Sequence, residues 1–288
     1  PSDADYQNAL PLLDTVKDFS LLAIPGIGSN KILGAGTTYC ERRATVVGVN
    51  DCFYVGEMEC DKDTVQEAQQ YIDTLPQKSS YGAVLFPWLE MPDPTGILPT
   101  PIKVPPSGAF MGMAGKFPVW EAIAGTKANI GGVSGLTVNL TDAEQDFLNP
   151  RGVNVIRSFP GSGIVVWGAR TLSTNSQPEW RYIPVRRMAI FLEVSIYNGI
   201  QWAVFQPNDE DLWASLRLNI SAFMMNLFRQ GAFQGATPRE AFFVKCDAET
   251  TTQADIDAGV VNVLVGFAPL KPAEFVVVKI SQKAGQTA

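Results

Sequence analysis

Four places in this chain bring together side chains whose types and spacing could do chemistry. The first is Gly26-Ile27-Gly28, which follows the apolar run Phe19–Pro25 and precedes a helix candidate. A glycine turn there lets backbone amides approach a pyrophosphate, but a dinucleotide site needs a third glycine where Lys31 stands, and no clear ribose-binding acid follows. The second, Gly115-Lys116, has the ending of a phosphate loop. Phe110 occupies its first glycine position and Phe117 the place of the magnesium-holding hydroxyl. The third is acidic: Asp209, Glu210 and Asp211 in one cluster, and Asp247, Glu249, Asp255 and Asp257 in another. The helix dipole explains the first group, with a metal or catalytic carboxylate pair as the alternative; the second does not have the spacing of an EF-hand loop, and capping and solvation explain it better than a hard cation. The fourth is basic: Arg181, Arg186 and Arg187 lie among aromatic residues, where the rigid guanidinium fork suits carboxylate pairing within or between subunits.

Composition removes several classes of function. The chain has no histidine, which rules out Ser-His-Asp and Cys-His catalysis and takes away the commonest general base and zinc ligand. A net charge of −7 argues against a phosphate-binding surface for nucleic acid. The cysteines Cys40, Cys52, Cys60 and Cys246 contain no C-x-x-C pair and read as reduced, mostly buried thiols. No apolar run approaches the roughly 20 residues of a membrane helix. With 46% hydrophobic and 18% charged residues, the 288-residue chain has the balance of one large or two ordinary globular domains.

The elements that must position these residues follow from pattern. Phe19–Pro25, Ala44–Val49 and Tyr81–Trp88 read as buried strands. Between them lie helix candidates at Ser29–Arg43 and after Asp63, where Val65, Ala68, Ile72 and Leu75 share a face. This alternation predicts an α/β layer with a parallel sheet. Six prolines crowd residues 92–106, which excludes a helix or a central strand and leaves a long surface loop or a domain junction, the junction being favoured. Ser107–Lys116 suits a helix or a close-packed surface. Thr141 with Glu144 opens a short helix, and Gly163–Trp167 and Gln201–Phe205 read as strands around a helix over Val185–Tyr197. The longest helix is expected from about Asp209 to Gln230, with Leu212, Leu216, Ile220, Phe223, Met224, Leu227 and Phe228 in one stripe and Gly231 at its end. Ala241–Cys246, Val260–Phe267 and Glu274–Ile280 read as strands, and Thr252 with Asp255 caps a short helix stopped by Gly259.

Several ordered segments carry a resemblance. They are GVNVIRSFPGSGIVVWGARTLS (Gly152–Ser173), WRYIPVRR (Trp180–Arg187), SIYNGIQWAVFQPND (Ser195–Asp209), GATPREAFFVKCD (Gly235–Asp247), TTTQADIDAG (Thr250–Gly259) and GFAPLKPAEFVVVKI (Gly266–Ile280). In these the chain resembles the contractile tail sheath proteins of bacteriophages and phage-tail-like injection particles. The match is dense over the second half; before it, LLAIPG and SSYGAVLFPW match more loosely. The chain opens at PSDADYQNAL, where the resemblance leads one to expect a further extended arm.

The resemblance implies a structural subunit rather than an enzyme. It implies stacked six-fold rings around an inner tube, contraction that drives the tube through a cell envelope, and no cofactor. The implied partners are further sheath subunits, the inner tube, baseplate and terminator proteins, with no direct nucleic-acid binding and no membrane insertion. The implied location is a virion tail or phage-tail-like particle. The fold expected is α/β (α+β mixed), an inner C-terminal sheath core domain with a smaller outer α/β domain. Its divisions are an entry arm at 1–18, an outer domain at 19–91, a junction at 92–106 and the inner core at 107–288. The alternative from another class is a nucleotide-binding α/β enzyme using Gly26 and Gly28. The strand Phe275, Val276, Val277, Val278, Lys279 and Ile280 is largely apolar on both faces and needs cover, which a neighbouring subunit would supply by strand addition, the alternative being a strand satisfied within its own chain. Together with Arg186 and Arg187 it forms the expected inter-subunit set.

Overall fold

The computed structural model describes residues 1–17, 19–173 and 177–274. The chain begins with helix α1 (Asp3–Ala9) and a 3₁₀ segment (Leu10–Thr15), then the short strand β1 (Leu21–Leu22). Helices α2 (Asn30–Arg42) and α3 (Ala44–Val47) lead to β2 (Phe53–Glu57), and α4 (Val65–Asp73) to β3 (Gly82–Phe86). Next come β4 (Leu89–Met91), β5 (Ile102–Val104), α5 (Pro106–Ala114), β6 (Gly135–Leu136) and α6 (Asp142–Leu148). The hairpin of β7 (Val153–Phe159) and β8 (Gly163–Val166) precedes the long helices α7 (Ile183–Gly199) and α8 (Glu210–Arg229). Helix α9 (Pro238–Ala241), β9 (Phe242–Lys245), α10 (Gln253–Asp257) and β10 (Leu264–Phe267) complete the described elements.

The main sheet has the order β1-β2-β3-β7-β8. The first four strands are parallel, and β8 runs antiparallel to β7. Every residue of β2 (FYVGE) and β3 (GAVLF) is buried, as expected for parallel strands covered on both faces. Alternation along β2 sorts the cover. Leu33 and Gly36 of α2 lie against Gly56 and the Tyr54 ring, while Glu57, on the other face, reaches Ser107 of α5.

One hydrophobic core runs from Leu10 to Ile190 around this sheet. A second joins Met188 and Leu192 of α7 to Ile220, Met224 and Leu227 of α8, under β9 and β10. A smaller third cluster gathers Leu212, Trp213, Leu216 and Cys246. The expected junction at residues 92–106 therefore does not separate one core from another. Strand β3 before it pairs with β7 after it, Val84 opposite Val153, and the prolines lie on an excursion from the sheet. Within that excursion β5 is an edge strand of a small antiparallel sheet, order β5-β4-β6, a place where proline is tolerated. The two larger cores meet instead on α7.

Two strand expectations are corrected. Ala44–Val49 holds the helical turn α3, because Gly48 at φ +89° caps it and Asn50 accepts from the Ala44 amide. The strand itself comes later, as β2. Gln201–Phe205 is a 3₁₀ turn followed by exposed Val204 and Phe205. Its β-prone residues fall in the ten-residue link between α7 and α8, with no described strand to pair with. The cap of α4 is Thr64, in a reciprocal capping box with Glu67, rather than Asp63.

A buried cation ties the first elements together. Arg43, fully buried at the end of α2, forks onto Asp51 through Nε (2.6 Å) and Nη2 (2.5 Å). Its remaining N–H bonds go to the carbonyls of Leu13 and Val16 and to the Tyr39 hydroxyl, so every guanidinium donor is used. Tyr39 donates its own proton to Asp14, and the Phe19 ring covers the guanidinium. Breaking a buried pair leaves an uncompensated charge, so Arg43→Met is expected to lose about 3–5 kcal/mol of stability. Urea unfolding checks this, and a loss under about 1 kcal/mol would place the pair among weak surface bridges.

Candidate functional site

The glycine turn after β1 is occupied by the protein itself. Glu57, at the C-terminal end of β2, accepts from the Gly26 amide at 2.6 Å and from the Ser107 amide at 3.3 Å. Those two donors, a loop amide and the first turn of α5, are what a phosphate would use. The carboxylate is only 2% exposed, and burial raises its pKa against the opposing pull of these hydrogen bonds. Gly28 is needed for packing rather than for ligand approach: a Cβ there would stand 2.5 Å from the Met58 carbonyl. The Gly26 amide that a pyrophosphate would need is taken by the protein's own carboxylate.

The other candidates are also engaged. Gly115-Lys116 closes the C-terminal end of α5, whereas a phosphate loop opens a helix at its N-terminus. Asp209 caps α8 by accepting from the Leu212 amide, and Glu210 pairs with Arg217 at 2.6 Å. Asp247 accepts from the amides of Glu249 and Thr250, Glu249 pairs with Lys245, Asp255 forms a capping box with Thr252, and Asp257 accepts from Gln253. Among the described residues no three His, Cys, Asp or Glu gather closely enough to hold a metal ion, and no helix is long and apolar enough to cross a membrane. Cys40, Cys52 and Cys246 are buried thiols, and Cys60 is half-buried.

The basic group divides. Arg181 follows the short turn Pro178–Trp180. Arg186 lies between the rings of Trp180 (3.7 Å) and Tyr81 (4.2 Å) and donates to the Ser80 hydroxyl and the Tyr81 hydroxyl. It is 6% exposed, with these partners in its own chain. Arg187, one residue on, faces elsewhere and has far fewer partners. Of the expected terminal strand, Phe275, Val276, Val277, Val278, Lys279 and Ile280 lie outside the described residues.

The residue before them is described, and sequence reading did not single out its role. Glu274 is gripped by Arg170 through Nε (2.7 Å) and Nη2 (2.5 Å), by Asn149 (3.2 Å) and by the Tyr182 hydroxyl (3.1 Å). Burial would raise its pKa, but the Arg170 fork and the two neutral donors outweigh that and hold it below the usual range. Arg170 is placed in turn by Asn154 of β7. That buried amide accepts from the Arg170 amide and donates to the carbonyls of Arg170 and Val84. Partners more than 90 residues apart in sequence are invisible to local pattern.

Known proteins share this fold. The family model of the phage tail sheath C-terminal domain matches residues 175–283. The chain is 30% identical over 156 residues to the tail sheath protein of Vibrio phage KVP40, covering 54% of this chain but 22% of that one. It is similar to a solved structure described as the anti-feeding prophage (AFP) helical sheath in contracted state. That likeness has 32% identity, a TM-score of 0.76, 96% of this chain and 74% of the other. It is also similar to the sheath complex of the extracellular contractile injection system PVC in contracted state, at 29% identity and a TM-score of 0.80, over 98% and 75% of the two chains.

The filled glycine turn has a measurable counterpart. Folded Glu57 keeps its proton to higher pH than the unfolded chain does, so the native state binds more protons in that window. Unfolding free energy then falls as pH rises from about 4.3, the ordinary glutamate value, through the raised one. Urea midpoints measured upward from about pH 4 should show this decline in the wild-type chain and less of it in Glu57→Gln; superimposable profiles would mean that Glu57 is not its source. Most of the candidate groups serve as caps, turns and pairs within the chain, and the fold is shared at 32% identity over 96% of its length with a solved sheath structure. This chain belongs to the contractile tail sheath family.

Proposed function

We propose that this chain is the structural part of a sheath subunit that polymerises as stacked six-fold rings around an inner tube and contracts to drive that tube through a cell envelope. The observation that carries the reading is the match, over 96% of the chain, to a helical sheath in its contracted state. The chain spans only 22% of the curated phage relative, so the activity of the whole protein belongs to this proposal. The partners proposed are copies of itself, the inner tube, and baseplate and terminator proteins, in a virion tail or a phage-tail-like particle. An outer and an inner portion of each subunit belong to the same proposal.

Contraction on this reading needs no nucleotide. Assembly traps the subunits in a metastable state, and the energy released is spread over many contacts of order 1 kcal/mol each. The Glu57 carboxylate in the Gly26 turn supports this against the nucleotide-binding alternative.

Negative-stain microscopy of the purified protein is expected to show striated hollow sleeves that shorten without added nucleotide. Particles that remain dispersed at every concentration, or shorten only with ATP, would overturn the reading. A chain ending at Glu274 is expected to fold and stay dispersed; sleeves from that truncation would remove Phe275–Ile280 from the assembly contact.

A further inference from the structure

Between α7 and the start of the main sheet lies a cavity of about 380 Å³. One wall is a stripe of α7, with Arg187, Phe191 and Val194 at helical spacing. The facing wall includes Phe19 just before β1 and Phe53 at the start of β2. This is the N-terminal edge of the parallel strands, opposite the end where Glu57 fills the glycine turn.

Most of the lining is apolar, Ser20, Tyr197 and Asn198 are its neutral polar members, and its described charges are unbalanced. Arg187 is 8% exposed, its Nη1 has no hydrogen-bond partner among the described residues, and Nη2 reaches only the Ala114 carbonyl at 3.4 Å. Lys17 adds a second cation to the wall. The carboxylate that lines the cavity, Asp51, is already forked by Arg43. Burial alone therefore acts on Arg187 and lowers its pKa to about 10, with no described anion opposing it. A guanidinium removed from water without a counter-charge is unfavourable, and a carboxylate placed beside it recovers that loss.

We propose that this cavity is an inter-subunit socket: it receives an aspartate or glutamate side chain, carried on an apolar segment, from a second copy of this chain. The proposal rests on the reading of the chain as a self-assembling sheath subunit. Charge complementarity supports a copy of the chain as the occupant. With 29 acidic against 22 basic residues, the subunit has carboxylates in excess, while the described residues of the socket have cations in excess. The apolar walls suit the segment around the acid, as in interfaces whose buried core is apolar and whose few charges set the register.

Sedimentation of the purified chain over a concentration series tests this with Arg187→Met, Arg187→Lys and Asp18→Asn. Wild type is expected to associate, R187K to retain much of that, and R187M to associate on the order of 30-fold more weakly or worse. The thermal midpoint of dispersed R187M should hold level or rise, because an uncompensated buried cation has been replaced by an apolar side chain. A merely structural arginine would lower it. Wild-type-like association of R187M, or a wild type that is monomeric throughout, overturns the socket. So does a D18N variant that alone reproduces the loss, since the carboxylate would then be the chain's own. Decanoate is the probe for a small-molecule occupant: saturable binding lost in R187M, with association unchanged, assigns the cavity to a free carboxylate instead. Sleeves formed normally by R187M would sink the socket and leave the sheath reading standing, whereas absence of sleeves from wild type strikes at the sheath reading itself.

Discussion

The structure depends first on how it disposes of buried cationic charge. Arg43 shows the complete solution: a carboxylate forked at 2.5 and 2.6 Å, two carbonyls, a phenol and a covering ring. In meeting these needs it fixes the entry segment, the end of α2 and the residues that lead into β2 relative to one another. A single side chain thus sets where the sheet can begin. Arg186 is settled less fully, by two rings and two hydroxyls, and Arg170 by the Glu274 carboxylate. Arg187 is the exception. Because Arg43 has already taken Asp51, no described carboxylate is left on the cavity wall to answer it.

Carboxylates are treated with the opposite economy. Glu57 occupies the amides that a phosphate would seek, so the parallel sheet keeps the outline of a nucleotide fold without its vacancy. Elsewhere acids serve as caps for α4, α6, α8 and α10 or as surface pairs. Where a typical α/β enzyme leaves polar groups open at the ends of its strands, this chain closes them.

Much of this was readable where the signal is local. The capping pairs Thr141–Glu144 and Thr252–Asp255, and the stripe of α8 from Leu212 to Leu227, lie within a few turns and depend on nothing distant. The parallel rhythm was also legible, although the middle strand was misplaced. Ala44–Val47 is rich in β-branched residues yet ends in a left-handed glycine, while Phe53–Glu57 carries a glycine and an acid whose value shows only once Leu33 and Ser107 stand beside them. The proline-rich stretch looked like a joint because composition cannot reveal that β3 and β7 pair across it. Long-range partners explain the rest. Neither the grip on Glu274 nor the isolation of Arg187 leaves a mark within its own neighbourhood.

Helix α7 is common property of both main cores. Ile183 and Ile190 belong to the core of the sheet, and Met188 and Leu192, on another side of the same rod, to the core beneath α8. Neither half can be excised with its interior intact, since each would leave with half a helix or abandon one. The chain is therefore poor material for shuffling: a graft that exchanges the region after α7 between relatives must carry over the helix's second face and match its first. A tilt imposed on one core therefore acts on the same helix that packs the other.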